Sequence, residues 1–222
     1  MFDSDETRPK RLNGSAVALQ SGGDGRPMFL GLPIPPGPPD VHFAFSENQI
    51  VSKTWLVDKV YETLGGRFGT VYILGGWYGV LGAILLNDAR FKIGRVLSVD
   101  IDPGCADFAA RLNARHAAED RFGAITADVC VLDYNREDGT TAVNLAINTS
   151  CEHMPSTEAW YGRLPVGILQ AFQSNDYFDC PEHVNCIADL EAFKRQVPMA
   201  EVLYEGALQR KRYSRFMLVG RK

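Results

Sequence analysis

The sequence predicts an α/β protein built on an open, doubly wound, mostly parallel sheet, and three observations carry the prediction. Residues Val71 to Asp102, VYILGGWYGVLGAILLNDARFKIGRVLSVDID, read as strand, glycine turn, helix, strand and terminal acidic residue. Apolar runs and helical segments then alternate along the chain, as a parallel sheet with crossover connections requires. Two strand-like runs, Glu201 to Leu208 and Tyr213 to Val219, follow each other across a basic turn, so the last strand is expected antiparallel.

Residues Met1 to Asp40 hold seven of the twelve prolines and six glycines, which excludes a helix or central strand and predicts an extended, polyproline-like segment. Residues 1–45 are therefore an arm, either a flexible tail or a lid that docks through Met28, Phe29, Leu30, Leu32 and Ile34, and 46–222 form one domain. A helix opens at Ser46-Glu47-Asn48-Gln49, capped by Ser46 or Asn48. It buries Ile50, Val57, Tyr61 and Leu64 and stops at Gly65-Gly66. Val71 to Leu74 is the first strand of the sheet, Val80 to Leu86 a helix and Arg95 to Val99 the second strand. Asp102-Pro103 is an N-cap followed by a first-turn proline, so Asp100 is left as the functional acid and Asp102 is structural. Cys105, Ala109, Leu112 and His116 share one helical face, which makes His116 a helix-end residue. Phe122 to Thr126 is the third strand, Thr141 to Ile147 the fourth and Val166 to Phe172 the fifth. Short helices are expected near Thr157 to Tyr161 and Glu191 to Gln196.

Composition bounds the function. With 222 residues, 45% apolar and 23% charged, the chain has globular values and room for a full core. A net charge of -4, with Arg210, Lys211, Arg212 and Arg215 as the dense basic cluster, argues against nucleic-acid binding. Five cysteines in a chain this size predict reduced thiols and a cytoplasmic location, and there is no apolar run long enough for a membrane span. Cys180, His183 and Cys186 have a zinc-like spacing, to which Cys151 or His153 could be added, but only one knuckle is visible and no metal is expected. A homodimer stays open.

The glycines at 75, 76, 79 and 82 do not make the G-x-G-x-x-G of a dinucleotide site or the Gly-rich Lys-Ser/Thr loop of a phosphate site. The stretch resembles the first two signature segments of class I S-adenosyl-L-methionine (SAM) dependent methyltransferases, in which a turn of roughly E/D-x-G-x-G-x-G precedes an acidic strand end. Gly75 and Gly79 match that turn, while Ile73 stands at its acidic place and Trp77 at its middle glycine. The whole-chain pattern, including SENQ, GGWYG, NTSCEH, QSNDY and YSRFM, is similar to small stand-alone methyltransferase-like proteins of unassigned substrate; azetidine-2-carboxylate synthases are small methyltransferase-like proteins that use SAM alone.

The resemblance implies a Rossmann-like class I methyltransferase fold, a seven-stranded mostly parallel sheet with an antiparallel last strand. It implies SAM bound by Gly75, Gly76, Trp77, Tyr78 and Gly79, by Asp100 and Ile101 at the second strand end, by Asp128 and Val129 at the third, and by Asn148 at the fourth. Asp100 would take the ribose hydroxyls and Asp128 the adenine amine. Asp128 also reads as an ordinary turn residue. Ser46, Gln49 and Lys53 on the preceding helix would face the pocket, or simply cap and solvate it.

Chemistry is expected after the fourth strand. Glu152 and His153 can each take a proton near neutral pH, and Asn148 can fix an amine without adding charge. Trp77, Tyr78 and Tyr177 offer aromatic faces to a sulfonium. The expected function is SAM-dependent methyl transfer to a small molecule. The alternative is a SAM cyclase, in which Asn148 and Tyr177 position the methionyl amine for attack on its own γ-carbon, releasing methylthioadenosine, with SAM as sole substrate. A non-enzymatic SAM-fold partner protein and, more weakly, a dehydrogenase complete the alternatives.

Overall fold

The computed structural model describes residues 19–23, 25–134 and 143–222. Ten strands and seven helices occur among them: β1 Gln20–Ser21, β2 Pro27–Phe29, β3 Leu32–Pro33, α1 Val41–Ala44, α2 Glu47–Leu64, β4 Arg67–Leu74, α3 Val80–Asn87, β5 Lys92–Asp100, α4 Pro103–Leu112, α5 Ala114–Ala118, β6 Phe122–Thr126, β7 Leu145–Asn148, α6 Thr157–Tyr161, β8 Leu169–Asn175, α7 Leu190–Gln196, β9 Glu201–Gln209 and β10 Ser214–Arg221. A single 3-10 turn, Cys151–His153, follows β7.

The main sheet has the order β6-β5-β4-β7-β8-β10-β9. Strands β4, β5, β6, β7 and β8 pair in parallel, and β10 is antiparallel to both β8 and β9. β4 is an interior strand between β5 and β7, and its apolar end is covered on both faces. Val71 and Ile73 pack under α2 and α3, while Tyr72 and Leu74 pack on the opposite layer with Trp160, Phe172 and Phe193. The chain order reverses between β5 and β7 on either side of β4, which leaves a crevice beyond the strands' carboxyl ends.

Local chemistry accounts for the helix ends. α2 stops where Gly65 takes φ 77, α4 starts where the Asp102 carboxylate accepts from Gly104 N at 2.7 Å, and α7 starts where Asp189 accepts from Ala192 N at 2.7 Å. Ser46 holds the N-cap position of α2 without a side-chain cap bond. α3 is buried from Val80 to Leu86, so it is apolar all round rather than amphipathic. No helix among the described residues is long and apolar enough to cross a membrane.

Two strands differ from expectation. β8 runs on through Gln173, Ser174 and Asn175, where the polar residues suggested an exit, because these residues keep pairing with Met217, Phe216 and Arg215 of β10. β7 begins at Leu145, and Thr141 and Ala142 of the expected fourth strand lie outside the described residues. The arm, as far as it is described, is a three-stranded antiparallel meander rather than plain polyproline. Phe29 is buried edge-to-face on Phe45 at 5.1 Å and Leu32 stays exposed. Arg111 donates to Pro36 O at 2.6 Å and Tyr78 donates to Asp40 Oδ1 at 2.9 Å, so this part of the arm lies against α4 and the back of the glycine turn. Residues 1–18 of the arm lie outside the described set.

Gly79 tests this packing. It has φ 72, and an added Cβ would stand 2.7 Å from Ala109 Cβ and 3.0 Å from Ala109 Cα on α4. Gly79→Ala is expected to cost about 2–4 kcal/mol, read as a lowered urea midpoint at unchanged slope.

Candidate cofactor and acceptor site

The turn after β4 is shaped by three left-handed residues in five: Gly75 at φ 64, Trp77 at φ 48 and Gly79 at φ 72. For a tryptophan that conformation costs about 1–2 kcal/mol. The offset comes from the neighbouring strand. Gly76 N donates to Val99 O at 2.9 Å and Trp77 N donates to Asp100 Oδ2 at 2.7 Å, while Asp100 Oδ1 accepts from Asp102 N at 3.1 Å. Gly76 has no room for a side chain, since a Cβ there would land on Ser98 Oγ. The turn is thus sewn to the end of β5, and Asp100 points a buttressed carboxylate into the rim.

Next to it, Ile101 is 70% exposed, an apolar side chain left open directly after the acid. Ala127 N donates to Asp100 O at 2.9 Å and brings the end of β6 alongside, with Val129 buried. Asp128 Oδ1 accepts from Cys130 N at 2.8 Å, which is the turn role the sequence also allowed. The two aromatics of the turn separate from this rim. Tyr78 is buried edge-to-face on Phe108 at 5.1 Å, and burial followed by its bond to Asp40 pushes its phenol upward, so it remains a donor to the arm. Trp77 lies 5.0 Å from Tyr78 and is partly buried against the same core. Tyr78, expected to offer its face to a sulfonium, thus packs its ring on Phe108 and gives its hydroxyl to the arm.

The other half of the rim, at β7, β8 and β10, is polar and closed. Asn148 is fully buried, its Nδ2 donating to Met154 Sδ at 3.1 Å and its Oδ1 accepting from Ser150 N at 2.8 Å. Met154 reaches the glycine turn, 3.3 Å from where a Gly75 Cβ would be. Glu152 is buried, and its Oε1 accepts from Arg215 Nη1 at 3.0 Å, Arg215 Nη2 at 3.1 Å and Asn175 Nδ2 at 2.6 Å. Its Oε2 is buried with no partner. Ser52 of α2 donates to Gln173 Oε1 at 3.0 Å, and Lys53 Nζ donates to Gln49 Oε1. Burial and then the Arg215 charge lower Lys53 from 10.5 to about 7, against the pull of Glu152. Cys151 is fully buried and desolvation raises its thiol well above its ordinary value, which keeps it protonated and unsuited to covalent chemistry.

Tyr177 stacks on Tyr213 at 5.6 Å and stands edge-on to His183 at 5.8 Å. His153 keeps an exposed edge while the rest of its ring packs against His183, centroids 4.5 Å apart. Desolvation lowers its pKa, with His183 adding to the shift and Glu152 opposing it. The structure thus brings Gly75, Gly76, Asp100, Ile101, Asp128 and Val129 to one half of the rim and Lys53, Asn148, Glu152 and His153 to the other.

Arg215, Asn175, Ser52 and Gln173 were missed by sequence reading. Arg215 was counted with the exposed basic turn, but it is one strand step from Phe216 and in phase with the buried Met217 and Val219. That phase was the available signal.

The sheet order and the glycine turn can now be set against known proteins. No family model matches the sequence, and no curated protein matches it. Solved structures do. The N-methyltransferase NodS from Bradyrhizobium japonicum WM9, in complex with S-adenosyl-L-homocysteine, matches at TM-score 0.60 and 11% identity over 82% of this chain and 90% of that one. The geranyl diphosphate C-methyltransferase from Streptomyces coelicolor A3(2) matches at TM-score 0.58 and 14% identity over 78% of this chain and 76% of that one. The fold is that of class I SAM-dependent methyltransferases. A further geranyl diphosphate methyltransferase, in complex with SAM, gives TM-score 0.59 at 12% identity over 84% of this chain and 92% of that one. The likeness is one of fold, a seven-stranded mostly parallel sheet in which β10 runs antiparallel.

Lys53 gives this half of the rim a measurable signature. Above pH 10.5 the folded and unfolded chains both carry a neutral Lys53. As pH falls from there to about 7, the unfolded chain takes up a proton that the folded chain refuses, so stability is lost across that window and the loss is complete below it. Lys53→Met is expected to remove this component: urea denaturation should show wild type gaining stability relative to the variant between pH 7 and pH 10.

Proposed function

We propose that the protein is a SAM-dependent methyltransferase acting on a small molecule. The observation that carries the reading is the joint between the glycine turn and the acidic end of β5, Trp77 N on Asp100 Oδ2 at 2.7 Å, in a sheet of order β6-β5-β4-β7-β8-β10-β9. The residues present fit the cofactor. Asp100 keeps acceptor capacity beyond its two backbone donors and suits a ribose diol, the exposed Ile101 and the buried Val129 suit the two faces of a purine, Asp128 suits an amine donor, and Gly75 and Gly76 leave the backbone bare. SAM, when bound, supplies an electrophilic methyl group that needs alignment and exclusion of water rather than a covalent enzyme nucleophile.

The chain's own residues supply the rest. Asn148 stands at the end of β7 with an uncharged amide that can release Met154 and take a methionyl amine or carboxylate. Glu152 has its Oε1 engaged by Arg215 and Asn175, so it orients this wall rather than serving as the base. Lys53, brought to about 7 by burial, can take a proton from an acceptor hydroxyl or ammonium near neutral pH. A buried wall with Lys53, Glu152 and Arg215 suits a compact polar acceptor better than a macromolecule. The cyclase reading uses the same cofactor rim with Asn148 and Tyr177 positioning the methionyl amine, and it differs in needing no acceptor and in releasing methylthioadenosine.

The test is mass spectrometry of the nucleoside formed from SAM, without acceptor and with small amines, hydroxyl compounds and carboxylates. S-adenosylhomocysteine appearing only with an acceptor is the expected result. Methylthioadenosine without acceptor would replace transfer by cyclisation, and absence of both, with no SAM binding by calorimetry, would overturn the reading. Asp100→Asn is expected to weaken SAM binding about 10- to 100-fold.

A further inference from the structure

Glu152, His153 and His183 converge behind the acceptor end of the rim, each offering one ligand atom within 4.8 Å of the others, the one such cluster of His, Cys, Asp and Glu among the described residues. Two independent features of this trio go beyond proximity. The Glu152 side chain is 2% exposed, its Oε1 carries all of its hydrogen bonds, and its Oε2 is left buried and unpartnered. An unpaired carboxylate oxygen in such a place is costly unless something positive completes it. The two imidazoles are oriented alike from behind: His153 Nδ1 faces Glu182 O at 3.1 Å and His183 Nδ1 faces Tyr177 O at 3.0 Å. A carbonyl only accepts, so both protons sit on Nδ1 and both Nε2 atoms keep their lone pairs. That is the outer support a metal-bound histidine has.

We propose that Glu152, His153 and His183 bind a divalent first-row transition ion of the zinc class, with a fourth position open to water or an acceptor's oxygen or nitrogen. Two imidazoles and one carboxylate are a borderline N/O set, which suits zinc or iron(II) over magnesium or calcium. Ligand atoms around a tetrahedral zinc stand ~3.4 Å apart, so the trio needs to close by no more than ~1.4 Å. The Cys180-His183-Cys186 spacing seen in the sequence does not assemble: Cys180 Sγ bonds Glu182 Oε2 at 3.0 Å and Cys186 Sγ bonds Asn175 Oδ1 at 3.6 Å. Only His183 of that run belongs to the cluster, and its partners come from the turn after β7. The site stands on these ligands alone and does not require the SAM reading.

The full chain, stripped of metal and free of SAM, is titrated with Zn2+ against a fluorescent chelator and separately with Co2+. Wild type is expected to take up one Zn2+ per chain and to give the visible Co2+ absorption of a low-coordinate site, with His153→Ala and His183→Ala each weakening Zn2+ about 100-fold and Cys180→Ser/Cys186→Ser leaving it unchanged. Should either histidine variant fail to fold, proton NMR of the Co2+-loaded wild type replaces it, where two shifted exchangeable imidazole signals are expected from the Nδ1 protons. Zn2+ binding equal in wild type and histidine variants, binding lost only with the cysteines, or no shifted imidazole signals would overturn the proposal.

Discussion

The Asp100 carboxylate is the interaction on which the rest of the rim depends. It takes the backbone N–H of Trp77 on one oxygen and that of Asp102 on the other. The first bond holds a tryptophan in a left-handed conformation it would otherwise avoid, and the second sets Asp102 where it caps α4 through Gly104 N. One side chain therefore fixes the turn after β4, the exit from β5 and the start of the next helix. The same group carries the acceptor capacity turned to the crevice, so the proposed cofactor would meet a turn already held by hydrogen bonds, which removes part of the ordering cost of binding.

Physically the rim divides in two. The half at β4, β5 and β6 is acidic and apolar, with its hydrogen bonds supplied by backbone. The half at β7, β8 and β10 is a buried polar network, Ser52, Lys53, Glu152, Gln173, Asn175 and Arg215, in which almost every group is paired side chain to side chain or side chain to backbone. Buried charge of this kind is a poor route to stability, since well-packed apolar residues of similar volume are often as stable or better. Keeping Lys53 near neutrality and Glu152 Oε2 unpaired in such a place is costly for folding, and groups perturbed in this way cluster at functional sites.

Much of this was legible in the residues. The β-α-β unit from Val71 to Asp102 declares itself through apolar runs broken by glycines, the role of Asp102 as cap follows from the proline after it, and β6 matches its periodicity residue for residue. What could not be read rests on pairings across long sequence separations. β8 continues through Gln173 to Asn175 because their backbone keeps pairing with β10, while Ser52 of α2 takes the Gln173 side chain and Glu152 that of Asn175. Arg215 looks like part of a solvated basic turn until Glu152 and Thr149 appear beside it. The arm's composition excluded helix and central strand, yet its meander and the docking of Phe29 depend on Phe45. His183 and His153 could be set side by side from the sequence only as alternatives within a cysteine-based run, because nothing in local spacing shows that the two rings meet while Cys180 and Cys186 turn to other partners.

The account stands on the adenosyl group lying at the joined ends of β4, β5 and β6. Amide NMR of the isotopically labelled chain titrated with S-adenosylhomocysteine reads this directly, residue by residue. The largest shifts should fall on Gly75 to Gly79, Asp100, Ile101, Asp128 and Val129. Saturating ligand that leaves those amides unmoved, or moves residues at the opposite ends of the strands instead, would contradict it.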